Sequence, residues 1–184
     1  MIYDLPTSVT VCDADYEIRS DFRAVLDICT ALEDPELDNQ DKAVVALSIF
    51  YPAFEAGEMP REHLQEALRA CFRFIDREEE APTDHKKLMS WEQDFQYIIA
   101  PVNRVIGKEI RELPYLHWWT FLSAYYEIGD CLFARIVHIR DQKARGKTLD
   151  KVDREFYQKN RSIIDLKTTY TEQEDALVNT WLKG

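Results

Sequence analysis

The segment LPYLHWWTFLSAYYEIGD, Leu113–Asp130, contains two tryptophans, three tyrosines and a histidine. When successive residues are placed 100° apart around a helix, its large apolar and aromatic residues fall within one arc of about 120°. An apolar stripe at helical spacing usually packs against a core. Its content of Trp and Tyr also favours an interface, so we predict that these residues bind a partner. They are Tyr115, Trp118, Trp119, Leu122, Tyr125 and Tyr126.

The histidine of this segment, His117, falls opposite the stripe in the same projection. We therefore expect a surface or hydrogen-bonded histidine rather than a catalytic base. Trp118 and Trp119 lie about 100° apart, at opposite margins of the arc. This separation predicts that one indole faces the core and the other faces a partner. It also predicts that His117→Ala changes neither folding nor binding.

Outside this segment, apolar residues recur at three- and four-residue steps, which predicts amphipathic helices. The last of them opens with the capping box TEQE at 171–174 and would bury Leu177 and Trp181. The strongest β signal is N-terminal, where SVTV and YEIR alternate on either side of the turn residues CDAD. The predicted fold class is mainly α, a helical domain of about seven to eight helices with an N-terminal β-hairpin.

The length of 184 residues is that of one domain. A short charged stretch near the middle divides two helical layers rather than two independent domains. We therefore predict a single domain over 1–184. It would comprise a hairpin at 8–19, a helical layer at 20–76, a linker at 77–90 and an aromatic-rich helical layer at 91–184.

The formal net charge of −11 argues against general binding of nucleic acid or of anionic membranes, because clustered Lys and Arg bind phosphate groups. One stretch, Arg135–Arg161, differs, with nine basic residues against four acidic ones. We interpret this polarity as two oppositely biased, solvated helix faces. Self-association, an acidic partner and, as the weakest alternative, an adaptor that binds nucleic acid remain open for this stretch.

The residue patterns do not predict catalysis, a metal or a cofactor. The cysteines and histidines lack the close spacing of zinc ligands, and the sequence contains no glycine-rich phosphate loop or nucleophile motif. The paired carboxylates Glu92/Asp94 and Asp150/Asp153 lie at predicted helix starts, where acids interact favourably with the helix dipole. We expect free thiols in a reducing cytoplasm, no signal peptide and no membrane span. A non-enzymatic protein is therefore expected.

Four strings carry a resemblance to a known family. They are YDLPTSV at 3–9, YEIRSDFRAVLDI at 16–28, IIAPVNRVIGKEIRELPYLHWWTFLSAYYEIGD at 98–130 and REFYQKNRSIIDLK at 154–167. They resemble the tail-protein family labelled gene product fifteen, found in prophages and long-tailed phages of Gram-positive hosts. The resemblance covers nearly the whole chain and is strongest over 91–167, whereas 34–90 matches only in pattern.

In such phages the gene usually lies between those of the major tail protein and the tape-measure protein, which is the place of tail assembly chaperones. The resemblance therefore implies a chaperone that binds the tape-measure protein, with the major tail protein as a further partner. It would act in the host bacterial cytoplasm and be absent from the mature virion. The alternative is a virion component, such as a tail-terminator or head–tail joining protein, whose hairpin adds to a ring. We also expect a homo-oligomer, because an isolated hairpin and an aromatic stripe both favour association.

Overall fold

The computed structural model describes residues 4–77 and 87–167. Within these ranges, an antiparallel hairpin of Ser8–Val11 (β1) and Ala14–Glu17 (β2) precedes nine α-helices. The helices are Phe22–Glu33 (α1), Asn39–Phe50 (α2), Pro52–Glu55 (α3), Leu64–Ile75 (α4), Trp91–Ile106 (α5), Trp118–Tyr126 (α6), Leu132–Ala144 (α7), Lys151–Lys159 (α8) and Arg161–Ile164 (α9). The predicted fold class, mainly α with an N-terminal hairpin, is confirmed.

The described ranges contain more helices than the seven to eight predicted, because two single turns were not anticipated. Pro52–Glu55 follows α2 directly and begins with proline, which is tolerated at a first helical position. Arg161–Ile164 is a second single turn, and one residue separates it from the end of α8. The last predicted helix, with its capping box at 171–174, lies outside the described residues, as does most of the predicted linker.

The hairpin is tighter than the four turn residues CDAD suggested. Val11 pairs with Ala14, so the turn contains only two residues. These are Cys12 and Asp13, with φ of 48° and 64°, as a type I′ turn requires. Val11 is fully buried and β1 packs against α4, so the apolar side of the hairpin is covered by helices of its own chain.

Two hydrophobic clusters form the interior of the part of the chain that the structure describes. The main core combines residues from the hairpin, α1, α2, α4, α5, α6 and the first turn of α7, so the two predicted helical layers meet in one core. The small core consists of Ile136 and Ile139 from α7 and Ile164 from α9. Half-buried residues of α8, among them Phe156, pack against the small core.

Candidate functional site

The start of α6 is paired with the start of α1, and this pairing orients the aromatic segment. Phe22 N donates to Leu116 O at 2.9 Å, and Trp118 N donates to Ser20 O at 2.8 Å. The helix begins only at Trp118, whereas the helical projection treated the whole segment as helical. Tyr115 therefore lies before the helix and is not part of a continuous stripe.

The two neighbouring indoles both bind the C-terminal end of α4. Trp118 Nε1 donates to Ile75 O and Trp119 Nε1 donates to Phe74 O, each at 2.9 Å. The last carbonyls of an α-helix do not receive a hydrogen bond from a backbone N–H further along the helix, so groups outside the helix can donate to them. Both indole N–H groups therefore face α4 and have hydrogen-bond acceptors within the chain.

The prediction that His117 faces away from the aromatic residues is wrong. Its side chain is 2% exposed, and its ring centroid lies 5.6 Å from that of Phe74 and 5.8 Å from that of Trp119. His117 is the N-cap residue of α6. Its Nδ1 atom accepts a hydrogen bond from Trp119 N at 3.0 Å, and its Nε2 atom lies 3.0 Å from Pro6 O. Only the neutral tautomer with a proton on Nε2 satisfies both contacts. Burial lowers the pKa of His117, which favours this neutral form.

The six predicted partner-binding residues differ in exposure: two are buried, two half-buried and two exposed. In that order they are Trp118 and Leu122, Trp119 and Tyr125, and Tyr115 and Tyr126. A partner could touch the exposed pair directly and the half-buried pair at an edge. The buried pair can contribute only by supporting its neighbours. A partner surface formed by these residues stays a prediction.

An apolar groove lies between α1 and α5, and we call it the α1–α5 groove. Phe22 and Leu26 from α1 and Trp91 and Phe95 from α5 provide its apolar lining, and its volume is about 380 Å³. The groove is open to solvent on one side, because Leu26, Trp91 and Phe95 are only half-buried. It is therefore an accessible apolar surface built from two regular helices.

Rings of α6 support the α1–α5 groove from below. Phe22 stacks on Phe121 with ring centroids 5.1 Å apart. Trp91 lies 6.0 Å from Trp118 and 5.4 Å from Tyr125. Aromatic residues of the segment Leu113–Asp130 thus pack beneath the residues that line the groove. Because its rings are packed from beneath, the groove is preformed, which lowers the entropy lost on binding.

Charged residues of both signs border the apolar lining of the groove. They are Arg23, Asp27, Glu92 and Arg111. Arg23 donates to the carbonyls of Leu113 at 2.7 Å and Arg111 at 3.2 Å, so both arginines lie near the start of α1. Arg111 also pairs with Glu109 at 2.8 Å, and its hydrogen bonds lower the pKa of Glu109 to about 2. Fixed charges therefore define one end of the groove.

The sequence placed the groove residues on apolar stripes but did not separate them from the core. Leu26 and Ile28 are two residues apart and thus about 160° apart around α1. Ile28 is fully buried in the main core, whereas Leu26 lines the groove. Apolar residues on two sides of one helix were the available signal, because packing against a single core needs only one apolar side.

The basic stretch Arg135–Arg161 is largely paired within the chain. Its contacts are Arg135–Asp153, Arg140–Asp94, Lys143–Asp165, Arg145–Asp141, Arg161–Asp165 and a hydrogen bond from Arg154 to Leu149 O. Phosphate contacts need basic groups that are free to reach a nucleic acid backbone. This pairing favours the interpretation as helix faces over a nucleic-acid site.

Groups with possible metal or redox chemistry are dispersed. In the ranges 4–77 and 87–167, no three His, Cys, Asp or Glu residues come together as a metal site would need. Burial raises the pKa of Cys29 and of Cys71 to about 12, so both thiols stay protonated. Over the same ranges, no helix has the length and apolar character required to cross a membrane.

A protein-family model described as Bacteriophage Gp15 protein matches residues 1–166. The chain belongs to this family. The resemblance to gene product fifteen is thereby confirmed at the level of the family, and the protein is a phage structural or assembly protein. No curated protein and no solved structure matched the chain.

The match to the Gp15 family includes every residue that lines the α1–α5 groove and all six predicted partner-binding residues. It ends at residue 166, so residues 167–184 lie outside the part of this Gp15 protein that the family model describes. The groove therefore lies within the part of the chain that matches the family.

Proposed function

We propose that this Gp15 family protein is a tail assembly chaperone that binds the tape-measure protein through the α1–α5 groove. The observation that supports this proposal is the apolar surface of the groove, which lies between charged residues and is formed by Phe22, Leu26, Trp91 and Phe95. Amphipathic helices bind to other proteins in grooves of this type. A tape-measure protein is long and helical with an apolar face, so a segment of it is the expected occupant.

The size of the groove limits how much of the tape-measure protein one copy of the chaperone can cover. Each large apolar side chain moved from water into the groove contributes roughly 1.5–3 kcal/mol before the entropy costs of association. A volume of about 380 Å³ accommodates only a few such side chains. Several copies would therefore cover one tape-measure protein, side by side, which agrees with the expected self-association. The net charge of −11 would keep the coated complex soluble.

In this role the protein acts by binding, without catalysis, metal or cofactor. It would cover the tape-measure protein in the host bacterial cytoplasm until the major tail protein displaces it as the tube polymerises. Mature virions would then lack it. A tail-terminator or joining protein would instead remain in the virion at a small, fixed copy number. Mass spectrometry of purified virions distinguishes the two roles.

Co-expression with the tape-measure protein tests the groove. Phe95→Glu places a carboxylate in the apolar lining, so the tape-measure protein should become insoluble and its pull-down should be lost. Val44→Glu is the matched control, because Val44 is 46% exposed on α2 and does not line the groove. Tyr126→Glu tests the exposed end of α6 instead, where Tyr126 is 62% exposed.

Thermal melts establish that each variant is folded before binding is scored. A folded Phe95→Glu protein that still keeps the tape-measure protein soluble contradicts the groove as the site. Loss of binding by Tyr126→Glu alone would transfer the site to the aromatic segment. If the unaltered protein does not change tape-measure solubility, the chaperone function is wrong.

A further inference from the structure

Positive and negative charges are concentrated in different parts of this protein. Residues 4–77, which form the hairpin and α1–α4, contain 16 acidic and 7 basic residues and thus a net charge of −9. Arg135–Arg161 contains nine basic and four acidic residues and thus a net charge of +5. Helix α5 contacts α1 in the acidic part and α7 in the basic part, so it lies between them. Each copy of the protein therefore presents surfaces of opposite sign.

Helix α8 presents basic side chains to solvent. Its inner side packs on α7, where the Arg135 guanidinium lies 3.9 Å from the ring centroid of Phe156. The residues around its opposite side are exposed, and we call them the α8 outer face. Within the described ranges, Lys151 and Lys159 of this face make no ion pair, so their charges are available to a second molecule. The α8 outer face consists of Lys151, Val152, Arg154, Glu155, Gln158 and Lys159.

The connection between α1 and α2 presents acidic side chains, and we call residues 33–41 the acidic segment. Its sequence, EDPELDNQD, contains five carboxylates and no basic residue. Glu33 pairs with Lys87 at 3.2 Å, but the other four carboxylates make no ion pair within the described ranges. Repulsion among closely spaced carboxylates is relieved when cations approach, so the segment fits a basic partner surface. Three of the four are exposed, namely Glu36, Asp38 and Asp41.

Both surfaces have a defined backbone before any contact forms. The α8 outer face belongs to a regular helix. In the acidic segment, Asp34 Oδ1 accepts from Glu36 N at 2.8 Å. Asp38 Oδ1 accepts from Gln40 N at 2.7 Å at the start of α2. Association of two preformed surfaces loses less conformational entropy than association of flexible ones.

We propose that the acidic segment of one copy binds the α8 outer face of a second copy. Lys151 and Lys159 are eight residues apart, about 12 Å along the helix, and would lie against the exposed carboxylates. The contact would also cover Val152, which is 65% exposed. Because the two surfaces differ and every copy has both, the contact can repeat from one copy to the next. Such association would place copies side by side on a tape-measure protein, but it does not require that partner.

Sedimentation velocity of the purified full-length protein, before and after nuclease treatment, tests this contact. Self-association at tens of micromolar (on the order of typical stocks) should weaken at least tenfold between low salt and about 0.5 M salt, because salt screens exposed charges. Lys151→Glu/Lys159→Glu and Glu36→Lys/Asp41→Lys should each weaken it at least tenfold, since like charges then face each other. An equal mixture of the two variants should associate again, because each α8 outer face then meets a segment of opposite sign.

Arg61→Glu/Lys108→Glu is the matched control for the α8 variant. Both residues are exposed, lie outside the two surfaces and change the net charge by the same amount. This control should associate like the unaltered protein. Circular dichroism establishes that each variant is folded, and renewed association of the mixture requires two folded variants.

A monomeric mass in low salt overturns the proposal. Self-association that neither salt nor the charge reversals weaken overturns it in favour of the hairpin or the aromatic segment. Association that nuclease treatment removes overturns it in favour of nucleic acid that bridges two copies. Folded variants that stay monomeric when mixed also overturn it. None of these results bears on tape-measure binding, which the groove variants test separately.

Discussion

The main core and the small core of this protein are stabilised by different interactions. In the main core, large rings pack directly on one another, with Phe121 stacked between Trp118 at 5.5 Å and Phe22 at 5.1 Å. Among the described residues, the small core contains three fully buried isoleucines, and α8 beside it contributes no buried residue. The apolar area buried per helix is therefore much smaller in the small core than in the main core.

Directional contacts supplement this limited apolar area. Arg140, which is 6% exposed, donates to both carboxylate oxygens of Asp94 at 2.5 and 2.9 Å. Its remaining N–H groups bind the carbonyls of Leu88, Ile163 and Ile164. All five guanidinium donors thus have an acceptor. Arg140 connects α7 to α5 and α9 by contacts that few other side chains could reproduce.

The main core and the small core should tolerate different substitutions. Apolar packing responds to lost volume, because a cavity adds to the lost transfer free energy. A buried ion pair contributes modestly to stability, but removing one partner leaves an uncompensated charge. The main core should therefore be sensitive to truncation of rings, and the small core to loss of a charge partner.

The largest expected effect is that of Trp118→Ala in the main core. Loss of the ring should lower the free energy of unfolding by about 3–5 kcal/mol, and the carbonyl of Ile75 also loses its donor. Urea unfolding followed by circular dichroism measures the change. Trp119→Phe is the control, because it keeps a six-membered aromatic ring and removes the pyrrole part of the indole together with its donor to Phe74 O. It should cost about 1 kcal/mol. A cost below that of the control would contradict ring packing as the main contribution.

The next effect is expected at the centre of the small core. Arg140→Ala should cost about 3 kcal/mol or slightly more, because Asp94 stays buried without its partner. The double variant Asp94→Leu/Arg140→Met removes both charges and should recover most of this loss. Urea titrations of the single and double variants provide the comparison. If the double variant is no more stable than Arg140→Ala, the uncompensated charge is not the cause.

His117→Ala should cost about 1–2 kcal/mol through the lost N-cap of α6, contrary to the neutral effect expected from the sequence. Its pH dependence follows from the lowered pKa. Since the folded protein binds a proton on His117 less readily than the unfolded chain, this contribution is fully present above pH 6.5. It decreases as the pH falls below 6.5 towards the folded pKa. Unfolding titrations between pH 7.5 and about 5 measure it.

His117→Asn is the matched control for this pH dependence. Asparagine is a favourable N-cap residue and does not titrate. The stability of this variant should fall less than that of the unaltered protein over the same acidic range. Identical pH profiles for the two proteins would show that His117 is not the titrating group.

The smallest effect is expected at the surface beside the small core. Arg135 lies 3.3 Å from Asp153 and 3.9 Å above the ring of Phe156, but its side chain is 38% exposed. Solvent and salt screen such pairs, so Arg135→Ala should cost about 0.5–1 kcal/mol. The cost of Arg135→Ala should be smaller in high salt than in low salt, because salt weakens the attraction between the exposed charges of Arg135 and Asp153. A loss as large as that of Arg140→Ala would contradict this ranking.

Local chemistry explains the elements that the sequence predicted well. Asp38 caps α2 by accepting from Gln40 N and Asp41 N, and α2 ends at Phe50, shortly before Pro52. Asp21 likewise caps α1. These signals lie within a few residues of the boundary that they define. They can therefore be recognised before any tertiary contact is known.

The predictions were incomplete or wrong where a polar residue depends on a distant partner. Asp94 lies in the first turn of α5, as the sequence indicated, but the sequence did not reveal that it is fully buried and pairs with Arg140 on another helix. His117 was predicted to be a surface or hydrogen-bonded histidine opposite the stripe. It is hydrogen-bonded, but it is buried among the aromatic rings, because the projection extended the helix beyond its actual start. Neither the partner of Asp94 nor the bridge between Asp21 and His117 has a local signature.

Short-range sequence signals were sufficient to predict the mainly α class, the N-terminal hairpin and the Gp15 family. Hydrophobic periodicity and capping residues act over a few positions, so these features can be read from short stretches. Only the tertiary structure decided that the aromatic segment supports the α1–α5 groove, and that Arg140 and Asp94 join three helices. Periodicity shows which side of a helix avoids water, whereas the relative placement of distant helices determines what covers that side.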